Sequence, residues 1–542
     1  MKKKLLSICL LFSLTASLFI GCGITSGGDS VETIPNAIEI SQDTLDGYEV
    51  PDDKYRTYYE IFVYSYCDSD GDGIGDLAGV TSKLDYIQDL GFTGIWLMPI
   101  MPSPSYHKYD TTDYYDVDEQ YGTLEDMKTL LTEAHARGIR VIIDLAMNHS
   151  SSEHPYFKEA YEYIQSLGEG EEPDASVCKY VDWYNFTREY SDGYSEVEGT
   201  DWYYESRFVY SMPDLNWDNP EVAEEFDAVA KFWLDLGVDG FRLDAVKYYD
   251  YGNDDRNIEI LAGFNDYVKS INSDAYIVCE EWDSSASYSK YYASGVDSLF
   301  DFDFGDKTGI ISKVVSGSKS ASAYGKGLVT EEELFSSFSS DYINAPFYTN
   351  HDMARSAGFY AGDYSEAMTK IGNAMNILMA GNVFVYYGEE LGMKGSGADE
   401  NKRAPMYWST DSSSEGMCVG PPNMDDVEMK YGSLEEQSQD ETSIYNYVKD
   451  TISIRNSVPA IARGTTTYYE ANSTDTLCLI SRSYEGEEIY IAFNISQEST
   501  SLDLSTVVDE PQFLGQLYTG EDVATYVDGS VNMPAYSVVV FK

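Results

Sequence analysis

GFRLDAVKYYDYGNDDRNIEILAGFNDYVKSINSDAYIVCEEW (240–282) is a short β-branched and aromatic run, an amphipathic stretch with helical spacing, and a second such run. Two strands joined through a helix pair in parallel, because the crossover brings the chain back to the same end of the sheet. The rhythm extends both ways from there. YEIFVYSY (59–66), GIWLMPI (94–100) and RVIIDLAM (140–147) precede it; SLFDFDF (298–304), FYTNHD (347–352) and NVFVYYGEE (382–390) follow. Eight strands alternating with helices such as TLEDMKTLLTEAHARG (123–138) and EVAEEFDAVAKFWLDLG (221–237) predict an α/β chain whose parallel sheet closes as a (β/α)8 TIM barrel. The stretch from Met147 to Glu221 is too long for a loop in a compact barrel, so an inserted subdomain rich in Tyr and Trp is expected after the third strand. Beyond residue 460 the pattern changes to TLCLISRSY (476–484), EEIYIAFNIS (487–496) and YSVVVFK (536–542), separated by polar turns. That alternation predicts a C-terminal antiparallel β-sandwich. The expected units are barrel 54–147 and 217–460, insertion 148–216 and β-domain 465–542.

Barrels of this kind keep their chemistry at the C-terminal ends of the strands. Asp144, Asp244, Glu280 and Asp352 lie there. Asp244 and Glu280 end adjacent strands, about 4.8 Å apart, which suits the roughly 5–5.5 Å between nucleophile and acid/base in a retaining glycosidase. Arg242 lies two residues before Asp244 on the same side of the strand, where it would keep Asp244 ionised. Glu280 must be protonated to act as an acid, and an ionised neighbour raises its pKa in that sense. Alternation turns Glu281, the rival acid, out of the barrel.

CDSDGDGIGD (67–76) crowds carboxylates between glycines that permit a tight turn. Hard oxygen ligands at this density predict a Ca²⁺ site on Asp68, Asp70, Asp72, Ile74 and Asp76. It is not an EF-hand, because the twelfth position, which needs a bidentate Glu, is Gly79.

The chain has 542 residues, 35 Lys+Arg against 93 Asp+Glu, and a net charge of −58. No basic face is available for nucleic acid or for an anionic membrane surface. With 43% hydrophobic residues it is too apolar for an acidic disordered chain. Lys2, Lys3 and Lys4 precede an apolar run from Leu5 to Ile20, then Gly21-Cys22, which reads as a signal peptide over 1–21. The Gly-Cys end resembles the bacterial lipoprotein box, with Cys22 as the lipid-bearing residue and 22–53, Gly/Ser-rich and acidic, as a tether. A cell-surface lipoprotein is expected, with a plainly secreted protein as the alternative. The later cysteines, Cys67, Cys178, Cys279, Cys418 and Cys478, are odd in number and form no CxxC pair, so at least one stays free or pairs outside the chain.

The motifs DLAMNH (144–149), GFRLDAVKY (240–248), VCEEW (278–282) and TNHD (349–352) occur in the order found in the α-amylase family, glycoside hydrolase family 13, and the resemblance spans about residues 55 to 542. It implies Asp244 as nucleophile, Glu280 as acid/base and Asp352 as the transition-state carboxylate. His149 and His351 would hydrogen-bond the sugar, Tyr109 stack on it and Asp110 reach its far hydroxyls. Arg242 and Asp144 would orient the core acids, and His107, Lys247 and Arg355 complete the candidate sugar contacts. His135 and His154 are expected to be ordinary surface residues. Tyr248 stands where His is usual and Val383 where Pro is common, so a second calcium site between barrel and insertion is not assigned. MPDLN (212–216) resembles the intermediate subgroup between oligo-1,6-glucosidases and neopullulanases, and Ala245 leans away from 1,6-specificity. The implied activity is endo-hydrolysis of α-1,4-glucans by a monomer. An exo-acting α-glucosidase, a neopullulanase-like enzyme, a transglycosylase and a non-catalytic starch-binding lipoprotein are the alternatives.

Overall fold

The computed structural model describes residues 32–33 and 50–542. The barrel strands are β1 (Thr57–Ile61), β2 (Gly94–Leu97), β3 (Arg140–Leu145), β4 (Gly240–Leu243), β5 (Tyr276–Cys279), β6 (Ser298–Asp301), β7 (Ile343–Pro346) and β8 (Val383–Tyr386). They lie side by side in sequence order, and β8 returns to β1. Four register pairs join β1 and β8, from Thr57↔Val383 to Glu60↔Tyr386. Between β7 and β8 the wall is completed by a parallel bridge from Phe347 to Phe384, and by the Asn382 N–H donating to the Asn344 carbonyl at 2.7 Å.

Alternation along the strands builds two cores. Tyr58, Trp96, Ile142, Tyr276, Val278, Phe300 and Phe384 fill the barrel interior, with Tyr58 stacked on Phe384 at 4.7 Å and on Tyr276 at 5.3 Å. Their neighbours Tyr59, Ile95, Val141, Ile143 and Ile277 face the surrounding helices. Two places on from the inner apolar residues, Glu60, Asp144 and Arg242 are buried as well. A polar layer thus sits on an aromatic plug at the C-terminal end, and each charge there needs a partner. The helices are set by their ends. Thr123 and Asp126 form a capping box on Leu124–Ala136. Asn219 caps Pro220–Leu236, with Pro in the first turn and Gly237, at φ +114°, closing it.

Strand seven is displaced from its expected position. β7 is Ile343–Pro346, and the aromatic stretch at 347–352 forms the rim loop. Its backbone groups have other partners: the Tyr348 carbonyl accepts from Asp306 N–H at 2.8 Å, and His351 N–H donates to the Glu60 carboxylate at 3.3 Å. β1 likewise begins earlier, at Thr57, and Val63–Ser65 is a 3-10 turn.

After β3 the chain forms the helix Pro155–Ser166 and a small antiparallel sheet of Phe186–Thr187, Tyr194–Glu196 and Tyr203–Glu205. Bridges from His149 to Asp214 and from Tyr184 to Leu215 join the start and the middle of this segment to its C-terminal end. His154 is not a surface residue; it is buried and its Nδ1 accepts from the Tyr156 N–H, capping the inserted helix. His135 does lie at the surface, with Nε2 2.7 Å from Asp239. The C-terminal residues form a five-stranded antiparallel sheet with a four-stranded sheet against it. Glu32–Thr33, within the expected tether, pair antiparallel with Tyr526 and Thr525 as an edge strand. The signal segment and Cys22 lie outside the described residues. All five later cysteines are free and buried. Among the described residues no helix is long and apolar enough to cross a membrane.

Candidate active site

Arg242 organises one half of the polar layer. Its Nη1 donates to Asp144 Oδ1 at 2.9 Å and to Asp244 Oδ1 at 2.6 Å, and Nη2 lies 3.3 Å from Glu280 Oε2. Register explains the convergence. Asp144 is opposite Arg242 across β3 and β4, and Leu243 is opposite Cys279 across β4 and β5, so Asp244 and Glu280 leave neighbouring strands at one level. Adjacent strands lie about 4.8 Å apart, and both carboxyl groups meet the one guanidinium of Arg242. Burial is the main cause that pushes the Glu280 carboxyl up to about 7; Asp244 and Asp352 add to it and Arg242 opposes it. Asp144, also buried, is pushed up to about 7 against the pull of Arg242. Ala245 takes a left-handed backbone, φ +52°, uncommon for a residue with a Cβ, and its N–H donates to Glu280 Oε2 at 3.0 Å.

Asp352 is held from the other side. Arg403 Nη2 is 2.9 Å from Asp352 Oδ1 and His351 Nε2 is 3.0 Å from Oδ2. These cations overcome burial and keep Asp352 well below the usual carboxylate range. His351 Nδ1 is 2.7 Å from Glu60 Oε1, at the end of β1. Burial works against charge on the ring, but Asp352 and Glu60 on its two nitrogens raise it to about 9. The imidazolium therefore bridges two carboxylates. Tyr109 stacks on it at 5.6 Å, with its hydroxyl 2.8 Å from Nε2 and donating to Asp144 Oδ2 at 3.1 Å.

The outer shell follows from the same rim. Asp110 accepts hydrogen bonds from the Ser103 and Ser105 hydroxyls, the first at 2.7 Å. His107 Nδ1 accepts from Tyr109 N–H at 3.2 Å, and burial lowers its ring to about 4. His149 is buried beside Phe208 with Nε2 unpartnered, and burial also lowers its ring. Glu281 stands apart from the acid cluster, buried with Oε1 3.8 Å from Lys247 Nζ.

Two expected contacts are not brought into this cluster. Arg355 is buried, with Nη1 donating to the Tyr387 carbonyl at 2.5 Å and Nε to the Lys402 carbonyl at 3.0 Å, sandwiched against Tyr386 and Tyr387. Its donors hold the loop after β8 instead of facing the cleft. Lys247 is tied to the Trp282 carbonyl at 2.8 Å and to Asp283 at 3.1 Å. Glu60 and Arg403 were not foreseen as site residues. Glu60 was legible by alternation, as the residue two after inward-facing Tyr58. Arg403 comes from a segment distant in sequence, and only the fold brings it to Asp352.

In the acidic loop Asp68, Asp70 and Asp76 each offer an oxygen, all within 4.8 Å of one another. Three carboxylates that close fit an oxygen-ligated cation. Asp72 does not join them, because it turns to accept the Ile74 N–H at 2.7 Å. Gly73, at φ +94°, and Gly75, whose added Cβ would meet the Val63 carbonyl, make the turn possible. Between barrel and insertion, Asp214 accepts from Asn148 Nδ2 at 3.0 Å and from Arg207 N–H at 3.0 Å.

Residues 60–464 match the family described as alpha amylase, catalytic domain. Alpha-amylase 3 of Dictyoglomus thermophilum is 36% identical over 473 residues, covering 87% of this chain and 90% of that protein. Trehalose synthase/amylase TreS of Mycolicibacterium smegmatis is 31% identical over 76% of this chain and 77% of its own. The solved structure of Eubacterium rectale Amy13B is 52% identical, covers 94% of this chain and 99% of its own, and superposes with a TM-score of 0.91. With barrel, strand-end acids and sequence in agreement, the chain belongs to the α-amylase family of glycoside hydrolases.

Proposed function

We propose that this protein is an α-amylase that cuts internal α-1,4-glucosidic bonds of starch and maltodextrins with retention, carried outside the cell on a lipid at Cys22. The observation that carries the reading is the single guanidinium of Arg242 binding Asp144, Asp244 and Glu280 while Glu280 is pushed up to about 7. Asp244, ion-paired and open at its other oxygen, attacks the anomeric carbon as Glu280 gives its proton to the departing glucosidic oxygen. The sugar is then esterified to Asp244. Glu280, now ionised, takes a proton from water, whose oxygen displaces Asp244 and restores both acids. Asp352, fixed as an anion by His351 and Arg403, faces the positive charge that develops on the ring. Tyr109, His107, His149 and Asp110 would contact the sugar in the cleaved subsite. Asp68, Asp70 and Asp76 would hold Ca²⁺, which neutralises their repulsion and braces the loop next to β1.

Endo action is supported by MPDLN (212–216) and by Ala245. The exo reading draws on Asp110 and the CDSDGDGIGD loop (67–76), and the likeness to a trehalose synthase/amylase raises glucosyl transfer as a competing outcome. Chromatography of amylose, pullulan and isomaltose digests tests all three. Mixed maltooligosaccharides from amylose in the first minutes are expected; glucose alone overturns the endo reading, and trehalose from amylose or lengthened oligosaccharides from isomaltose overturn simple hydrolysis.

A further inference from the structure

The turn behind the nucleophile is strapped to the turn behind the acid/base. The ladder between β4 and β5 ends where the Glu280 N–H donates to the Leu243 carbonyl at 2.9 Å. Beyond it the chain enters the 3-10 turn Val246–Tyr248 through Ala245, in its left-handed backbone. A residue with a Cβ keeps that conformation only where its surroundings over-determine it. The turn after β5 supplies the constraint. Ala245 N–H donates to Glu280 Oε2 and Val246 N–H to the Glu280 carbonyl, both at 3.0 Å. The third contact is the Lys247 ammonium, which donates to the Trp282 carbonyl at 2.8 Å and to Asp283 Oδ2 at 3.1 Å. The Lys247 carbonyl accepts in turn from Asn257 Nδ2 at 3.0 Å.

Glu281 holds the ammonium from below. It is 1% exposed, its Oε1 is 3.8 Å from Lys247 Nζ, and its Oε2 has no partner. A buried carboxylate is costly unless a cation answers it, and Lys247 is the nearest cation to it among the described residues. Asp254 and Lys290, from the helix Asp254–Ile271 and the turn Ser289–Ser294, also face Glu281 but pair with each other at 3.1 Å, and the Tyr291 hydroxyl donates to Asp254 at 3.2 Å. The ammonium is thus enclosed by acceptors of a single turn, Glu281, Trp282 and Asp283. We propose that Lys247 is a positioning residue: anchored by Glu281 and Asp283, it ties the strained turn behind Asp244 to the turn behind Glu280 and so fixes the spacing of nucleophile and acid/base. A displacement of about 1 Å at such a pair costs up to about 10²-fold in rate. The role rests on the retaining reaction proposed above.

Kinetics of the full chain on maltooligosaccharides separate positioning from sugar binding. In Lys247→Met, kcat should fall more than about tenfold while KM stays within about twofold. Burial pushes the Glu281 carboxyl up to about 7 against the pull of Lys247. Glu281→Gln should therefore match the native chain near pH 6 and lose about threefold in kcat near pH 8, where the native carboxylate is charged. A loss of packing alone would not follow pH in this way. In the Lys247→Met background the same change should cost nothing further, because the two side chains act as one unit. Amide exchange over residues 244–248, read by mass spectrometry at pH 8, should quicken in both single variants whether or not a glucan is cleaved. A native kcat in Lys247→Met, or a loss confined to KM, overturns the proposal. Should that variant fail to fold, a Glu281→Gln chain equal to the native one at pH 8 in kcat and exchange overturns it. Absence of amylose cleavage by the native chain overturns the catalytic reading instead, and unchanged exchange over 244–248 in the variants then overturns the strap on its own.

Discussion

Glu280 is the residue on which the chemistry turns. Its acid form must be present for the first step, and with the carboxyl up at about 7 that form is lost as pH rises through 7. kcat/KM should therefore fall on the alkaline side from about pH 7. Asp144 sits on the same guanidinium with a carboxyl also near 7, so the limb in a pH–rate profile belongs to the cluster and not to one acid. Glu280→Gln should cost about 10²–10⁴-fold in kcat on maltooligosaccharides, measured with folding checked by circular dichroism. Glu60 tests the other half of the site. Glu60→Gln keeps a hydrogen-bond partner at His351 Nδ1 but removes a charge, so the ring should titrate below its value of about 9, read by NMR, and kcat should drop by about tenfold. His351 also has a stability consequence. A ring raised to about 9 stabilises the native state fully below its unfolded value near 6.5, and the gain is lost as pH rises through 9.

At the scale of elements, the loop over 68–76 separates two roles that its acids share. Asp76 caps the helix Leu77–Ser82 through the Gly79 N–H at 2.7 Å, whereas Asp70 is exposed, caps no helix and accepts only the Asp72 N–H, at 3.2 Å, besides its place in the carboxylate cluster. The proposed Ca²⁺ site predicts a rise in Tm on adding Ca²⁺ that Asp70→Ala abolishes, with little change in the chelated protein. Asp76→Ala should lose about 1 kcal/mol even in chelator, because the cap goes with it; calorimetry with and without Ca²⁺ distinguishes them. The loop shows what sequence could and could not reveal. Glycine spacing made the turn and its acids plain, but not that Asp72 would turn outward to the Ile74 N–H, since that choice depends on local amide geometry. Strand seven teaches the same. FYTNHD has aromatic strand formers, yet β7 is the shorter INAP before it, because the rim loop finds partners in Glu60 and Asp306 that lie far away in sequence. Asp244 and Glu280 were legible because they follow strands in fixed register. Arg355 was not, because which way a rim side chain turns is set by Tyr386 and Tyr387 beneath it.

The whole molecule has a net charge of −58, and the site and the acidic loop account for a small minority of its 93 acids. Exposed like charges repel in the compact state, and salt screens them over about 8–10 Å at physiological ionic strength. Tm should accordingly rise between low salt and about 0.15 M NaCl in a thermal scan at fixed Ca²⁺, while a substrate without charge should bind with little salt dependence. The barrel has a further consequence in time. Its first and last strands are firmly paired, and Arg56 N–H reaches the Asn382 side chain across 326 residues of chain. During synthesis at 5–20 residues per second, the open edge of β1 waits roughly 15–65 s for its neighbour to be made. A strand edge left bare that long is a site for wrong pairing, so this chain, more than one built from local hairpins, depends on being kept unfolded until its last third exists.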